Sequence, residues 1–261
     1  MDKLTIVLIF TVCILLAMYY YKEEIEDVSN IKIPSKGYLI NLPRRLDRME
    51  EFFKNVNNSD FEINIEKMEA VDGNSIDTSK LRLTHLAKQE LKDLEINGYR
   101  SKHYQLTKGA IGCYLSHINT WKKILKTNEE YVFVFEDDAY IPKDFGYKVK
   151  RLLKHAPEFD IMLLGVMCNE CLSKEKYKRV KRFFQTHAYI IKKQCIEELL
   201  RNMFPISQQI DAQLSDLTNK IKICAPIHDI SVQNTWVSKT DIQAPLKNVK
   251  GVDAYEPVKL T

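Results

Sequence analysis

The chain has 261 residues, enough for one sizeable α/β domain or, less simply, two small ones, and its low Gly and Pro content predicts that most of it folds. Its formal charge is +4, from 39 basic and 35 acidic residues well mixed along the sequence. That small excess, with no zinc-finger spacing, long basic arm or aromatic-basic alternation, excludes nucleic acid as the expected partner.

Residues 4–21 carry no charge and are dominated by Leu, Ile, Val and Phe, just long enough to cross a hydrocarbon layer as a helix. Tyr19, Tyr20 and Tyr21 would then sit at the interface. Lys3 precedes this stretch and an acidic run follows it, so the weak basic bias predicts a cytoplasmic N-terminus. The expectation is a single-pass type II membrane protein: an anchor over residues 1–22, a polar stalk over 23–36, a lumenal or extracytoplasmic domain over 37–250 and a tail over 251–261. A cleaved signal peptide is the competing reading, although no clear small-x-small cleavage site follows the apolar run.

The domain opens with a strand over residues 37–42 that runs into a helix whose apolar positions, Leu46, Met49, Phe52, Phe53 and Val56, follow 3/4 spacing. A strand feeding a helix N-terminus favours bound phosphate, and Arg44, Arg45 and Arg48 add positive charge there; an exposed basic helix start explains the same residues equally well. A second strand over 63–71 ends in Asp72-Gly73-Asn74, which turn chemistry accounts for alone. A helix over 79–96 stops at Asn97-Gly98.

Thr107 is a fair N-cap for a strong helix with Ile111, Leu115, Ile118, Trp121 and Leu125 on its core face. Gly109 and Gly112 weaken that helix by roughly 1 kcal/mol each relative to Ala, so a strand or a ligand should approach its backbone closely. His117 on this helix is either a base or a hydrogen-bonded structural histidine. A helix over 145–155, a strand over 159–165 and a strand over 184–191 with its partner helix follow. Between them the lysine-rich stretch 168–182 reads as a loop, one that could move over the site. A short helix begins near residue 210 with Asp211 in its first turn, where the helix dipole alone favours it. Residues 221–226 alternate like an edge strand, with His228, Asp229 and Gln233 beyond.

Cysteine spacing is less informative. Cys168 and Cys171 form a C-x-x-C with no second pair to complete a zinc site, which leaves a loop disulfide or two free thiols. Asn57-Asn58-Ser59 is a formal glycosylation acceptor that matters only in a lumenal domain.

The most informative stretch is 131–141, where Tyr131-Val132-Phe133-Val134-Phe135 gives way to Glu136-Asp137-Asp138. The apolar run reads as a strand buried on both faces. Three adjacent acids repel one another unless a cation or hydrogen-bond donors offset them. Ligands collect at the carboxyl ends of strands in open α/β sheets, and hard oxygen ligands there suit Mg²⁺ or Mn²⁺ carrying phosphates. A solvated acidic turn is the plain alternative, and the apolar strand directly before the acids argues for the metal site.

These segments also carry a resemblance. YLINLPRRLDR, AVDG, LTKGAIGCYLSHINTWKKIL, VFEDDAYI, FDIMLLG, THAYII, PISQQIDAQL and VQNTWVSKTDIQ occur in that order over about residues 37–243. Together they resemble the successive motifs of glycosyltransferase family 25, which holds bacterial lipooligosaccharide galactosyltransferases and the collagen hydroxylysine galactosyltransferases. The resemblance implies a GT-A-like α/β fold, a mixed central sheet flanked by helices, a UDP-sugar donor, usually UDP-galactose, and Mn²⁺ or Mg²⁺. Carried onto this chain, Asp138 is expected to bind the metal, Glu136 to contact the ribose or the metal's shell, and His228 to be a third ligand. Asp211 is the candidate base for the acceptor hydroxyl, with His117 second, and Asn41, Arg45, Arg48 and Lys108 are expected at the donor. Asp137 is expected to point away from its neighbours. The implied reaction inverts the sugar and adds it to a glycan or a hydroxylysine-type protein acceptor. A group of this family is thought to lack transferase activity, so a silent adhesion or scaffold protein stays open. A metal-dependent phosphoryl transferase would require a P-loop or kinase-type lysine pattern, which the sequence lacks.

Overall fold

A computed structural model of the chain describes residues 3–102, 104–174, 176–234 and 241–242. The expected tail over 251–261 and most of the last motif lie outside the described residues.

Helix α1 (Lys3–Ser29) is continuous through the expected boundary at residue 22, and only residues 30–35 separate it from strand β1 (Lys36–Asn41). Val28 near its end is buried, so the segment expected as a polar stalk contributes to the core. Described apolar side chains from Ile6 to Tyr19 are exposed. Among the described residues no helix is long and apolar enough to cross a membrane, so the expected span gains no support as a span.

The domain is built on an eight-stranded mixed sheet. Helix α2 (Leu46–Asn57) links β1 to its parallel neighbour β2 (Asn64–Glu69). Helices α3 (His85–Asn97) and α4 (Lys108–Ile124) lead to the central strand β3 (Tyr131–Glu136), parallel to β1. Short strand β4 (Ala139–Tyr140) and helix α5 (Phe145–His155) come next, then strands β5 (Ile161–Leu163), β6 (Met167–Ser173), β7 (Tyr177–Phe184) and β8 (Ala188–Lys192). Helices α6 (Ile196–Asn202) and α7 (Ile210–Ser215) and strands β9 (Ile223–Pro226) and β10 (Val232–Gln233) complete the order. The large sheet runs β2-β1-β3-β8-β5-β9-β7-β6, while β4 and β10 pair in a separate two-stranded ribbon.

Alternation along β3 explains the two cores. Val132 and Val134 face a cluster with Ile111, Tyr114, Ile118 and Trp121 of α4, while Phe133 and Phe135 face Phe52 of α2, Phe61 and Phe145 of α5. Because helices cover both faces, the strand has no polar position until its end. The first polar residues can only appear at its carboxyl edge, where the acids are.

Two expectations on the far side are corrected. The lysine-rich stretch 168–182 is not a loop: β6 and β7 form an antiparallel hairpin, with Val180 and Phe183 turned to the core and the intervening basic side chains outward. The two buried positions are three residues apart and the β6–β7 register shifts along the hairpin, so no simple alternation marks these strands in the sequence. Nor is β9 an edge strand, since it lies between β5 and β7 and is buried throughout. Cys168 and Cys171 are joined by a disulfide on β6.

Candidate active site

The register of the sheet assembles the site. Ile40 of β1 sits opposite Glu136, which places Asn41 beside the acids that follow β3. Antiparallel β8 pairs Ala188 with Phe135, so Thr186 and His187 flank Glu136 from the other side. The backbone N–H of Glu136 donates to the His187 carbonyl at 2.8 Å. Beyond Glu136 the chain turns at residues 137–138 instead of continuing as a strand. That turn overrides the alternation that was to send Asp137 away: all three carboxylates line one cleft.

The cleft is walled by Arg44 and Arg48 of the first βα turn, Val71 to Gly73, the start of α4, the three acids, and Asp241 with Ile242.

Each acid has a different environment. Glu136 is buried, which works against its charge, yet hydrogen bonds from His117 at 3.2 Å and Thr186 at 2.7 Å hold its carboxyl below the ordinary range. Asp137 accepts from Asn41 Nδ2 at 2.8 Å and Arg48 at 3.0 Å; burial nevertheless pushes it up. Asp138 accepts from Gln233 Nε2 of β10 at 2.9 Å through one oxygen. Burial, then the charge of Glu136, push it up to about 7. Its other oxygen, Oδ1, is buried with no hydrogen-bond partner among the described residues, as is Asn41 Oδ1. A buried, unpartnered carboxylate oxygen is costly unless something meets it. Hard oxygen donors with this shortfall of partners fit Mg²⁺ or Mn²⁺.

Three arginines meet at Asp241. Arg44 pairs with Asp72 and with Asp241 at 3.0 Å, Arg45 with Asp47 and Asp241, and Arg48 lies 3.9 Å from Asp241. The carboxylate of Asp241 thus sits where an anionic ligand would meet the guanidiniums. Asp72, expected only as a turn residue, is part of this wall.

The close approach expected at the α4 glycines is made by protein backbone. A Cβ at Gly109 would lie 2.5 Å from the Asp241 carbonyl, and one at Gly112 would lie 2.5 Å from that of Val71. Thr107 caps α4 through Ala110 N–H at 2.9 Å and also donates to the Ile242 carbonyl at 2.5 Å.

His117 is wholly buried behind Glu136, and both ring nitrogens are engaged. Trp121 Nε1 donates to the Tyr189 hydroxyl at 2.8 Å, whose own proton is then directed to His117 Nδ1 at 2.9 Å. That leaves Nε2–H facing Glu136. Such a histidine positions Glu136 and has no exposed nitrogen for an acceptor hydroxyl. Asp211 starts α7 and accepts from the N–H groups of Gln185 at 3.0 Å and Ala212 at 2.8 Å; burial pushes it up. Gln185 adopts φ 80°, a left-handed turn that aims its N–H at Asp211.

Of the expected residues, Arg45 and Asp211 do not line the cleft, and Lys108 and His228 are not brought to the acids at all. Lys108 is exposed on the first turn of α4 and does not line the cleft; His228 is exposed on the turn after β9 and does not line it either. The α4 start offers the cleft the backbone of Gly109, and β10 rather than His228 reaches Asp138, through Gln233. No role was expected for Thr186, Tyr189, Gln233 or Asp241, although each falls within a stretch that carried the family resemblance.

Comparison with known proteins finds glycosyltransferases. Human procollagen galactosyltransferase 2 is 26% identical over 221 residues, covering 79% of this chain and 33% of its own length. The mouse protein of that name is 33% identical over 119 residues, 45% of this chain and 18% of its own length, and a mouse inactive glycosyltransferase 25 family member 3 is 31% identical over 134 residues, 49% and 21%. The chain therefore spans a third or less of these relatives. Among solved structures, Staphylococcus aureus TarS 1–349 aligns over 76% of this chain and 60% of its own with a TM-score of 0.44 and 11% identity. The model of glycosyltransferase family 25 (LPS biosynthesis protein) matches residues 35–214, from the loop before β1 through the acids and Asp211 to the last turn of α7, and the chain belongs to that family.

Proposed function

We propose that the chain transfers a hexose, galactose in the first instance, from a UDP-sugar to a hydroxyl of a glycan or hydroxylysine-type protein acceptor, with inversion and with a divalent cation. The observation that carries this reading is the buried, unpartnered Oδ1 of Asp138 just past the end of the central strand, in a cleft that Arg44 and Arg48 also line. The names of the procollagen galactosyltransferases support the choice of sugar.

Asp138, with Glu136 and Asp137 beside it, would hold Mn²⁺ or Mg²⁺. When bound, the cation supplies Lewis-acid stabilisation of the charge that builds on the departing diphosphate. Arg44 and Arg48, which line the same cleft, would orient the diphosphate, and Asn41 holds Asp137 and the Arg45 carbonyl in register. The buried chain from Trp121 to Glu136 keeps that carboxylate ionised and fixed. Asp211 is the proposed base, accepting the proton of the acceptor hydroxyl as the oxygen attacks the anomeric carbon.

Asp211→Asn should lower kcat by about 10²–10⁴-fold and leave UDP binding intact. Since the base must be deprotonated and burial raises its pKa, wild-type kcat should rise with pH through a limb above the ordinary carboxylate range near 4. Unchanged turnover in the variant, with the limb retained, would assign the base elsewhere. Asp241 competes with the donor for the arginines, so Asp241→Asn should lower the donor KM by about two- to fivefold with kcat unchanged, the equivalent of 0.5–1 kcal/mol for partly exposed ion pairs. A raised KM would mean that Asp241 orients the arginines instead.

The exposed apolar side chains of α1 support a second element of the proposal, that this helix meets a lipid layer. Sedimentation of the full chain with membranes after an alkaline carbonate wash is the expected result. Release into the supernatant contradicts it.

A further inference from the structure

We propose that Cys113, His117 and Glu136 form a zinc site behind the acid turn, separate from the hard-cation position at Asp138. Cys113 and His117 are four residues apart, so both project from one face of α4, toward the end of β3. One ligand atom each from Cys113, His117 and Glu136 lies within 4.8 Å of the others. Asp138 is not part of this group.

The chemistry of the three donors selects the ion. A thiolate, an imidazole and one carboxylate oxygen match the borderline-soft preference of Zn²⁺, whereas Mn²⁺ and Mg²⁺ favour all-oxygen sets. Three protein ligands leave a fourth position, and Cys113 and Glu136 both line the cleft, which gives the ion a path in. His117 already has the outer partner that ligated histidines use: Nδ1 faces the Tyr189 hydroxyl at 2.9 Å, itself held by Trp121. Binding draws the other tautomer, with the imidazole proton at Nδ1 and the Nε2 lone pair on the ion, and the Cys113 thiol proton passes to solvent. Without an ion, burial and the nearby carboxylates of Glu136, Asp211 and Asp138 keep that thiol protonated. The same negative surroundings attract a dication.

Glu136 would serve both positions, so zinc here withdraws it from the acid turn and should inhibit. This site does not depend on the transferase reading, because its test is binding. The full chain with its disulfide intact is titrated with Co²⁺ as a spectroscopic stand-in, and with Zn²⁺ by equilibrium dialysis. The expected result is a sulfur-to-cobalt charge-transfer band and one zinc per chain. Cys113→Ser should lose the band and bind zinc at least about tenfold more weakly, and Tyr189→Phe should weaken it by about 10–100-fold. Asp138→Asn should keep both signals, which separates this site from the donor's cation. Absence of the band in the wild type overturns the proposal whether or not a variant folds. So does a band retained in Cys113→Ser, which would place the metal at another cysteine.

Discussion

Asp138→Asn should cut UDP release from a UDP-hexose by at least about a hundredfold while leaving the chain folded. Metal stabilisation of a departing phosphate group amounts to several kcal/mol, and about 1.4 kcal/mol is a factor of ten in rate. The substitution is nearly isosteric and removes a charge that burial and Glu136 already disfavour. The variant's melting temperature without metal should therefore equal or exceed that of the wild type. Mn²⁺ should raise the wild-type melting temperature and not the variant's, because a ligand that binds only the folded state stabilises it by mass action. Turnover retained in the variant would remove Asp138 from the mechanism.

Gly165→Ala should be the most damaging single methyl in the domain and should injure the site from a distance. A Cβ at Gly165 would lie 1.9 Å from the Ser231 carbonyl and 2.7 Å from His187 Nε2. Backbone cannot yield there cheaply, since the N–H groups of Ile230 and Ser231 both donate to the Leu164 carbonyl, at 2.7 and 3.0 Å. Overpacking of this kind costs about 1–3 kcal/mol. Relief requires residues 230–231 to shift, and these lead directly into β10, whose Gln233 holds Asp138. The expected result is a lower denaturation midpoint with an unchanged slope, together with weaker Mn²⁺ binding. Lost stability with unaltered Mn²⁺ affinity would show that β10 does not transmit the shift.

Much of this frame could be read from residue order. The apolar run from Val132 to Phe135 announces a strand covered on both faces, and its polar end marks the site before any coordinates are known. The turn that brings Asp137 back to the cleft was not legible, because alternation describes extended backbone and says nothing of where extension ends. Long-range pairing was equally hidden. Asp241 meets Arg44 and Arg45 across nearly two hundred residues of sequence, and Gln233 reaches Asp138 only because β10 pairs with β4. Charge misled at the β6–β7 hairpin, where outward lysines mask the inward Val180 and Phe183. His228 was placed by the family resemblance alone, which does not fix the direction in which the turn after β9 presents a side chain.

The central claim is that Asp138 and its neighbours hold a divalent cation that in turn holds a nucleotide diphosphate against the arginine wall. Calorimetric titration of UDP into the full chain, with and without Mn²⁺, tests it most directly. The account predicts saturable one-to-one binding that requires Mn²⁺ and is abolished in Asp138→Asn. Equal binding without the cation, equal binding to the variant, or no binding under any of these conditions would contradict it.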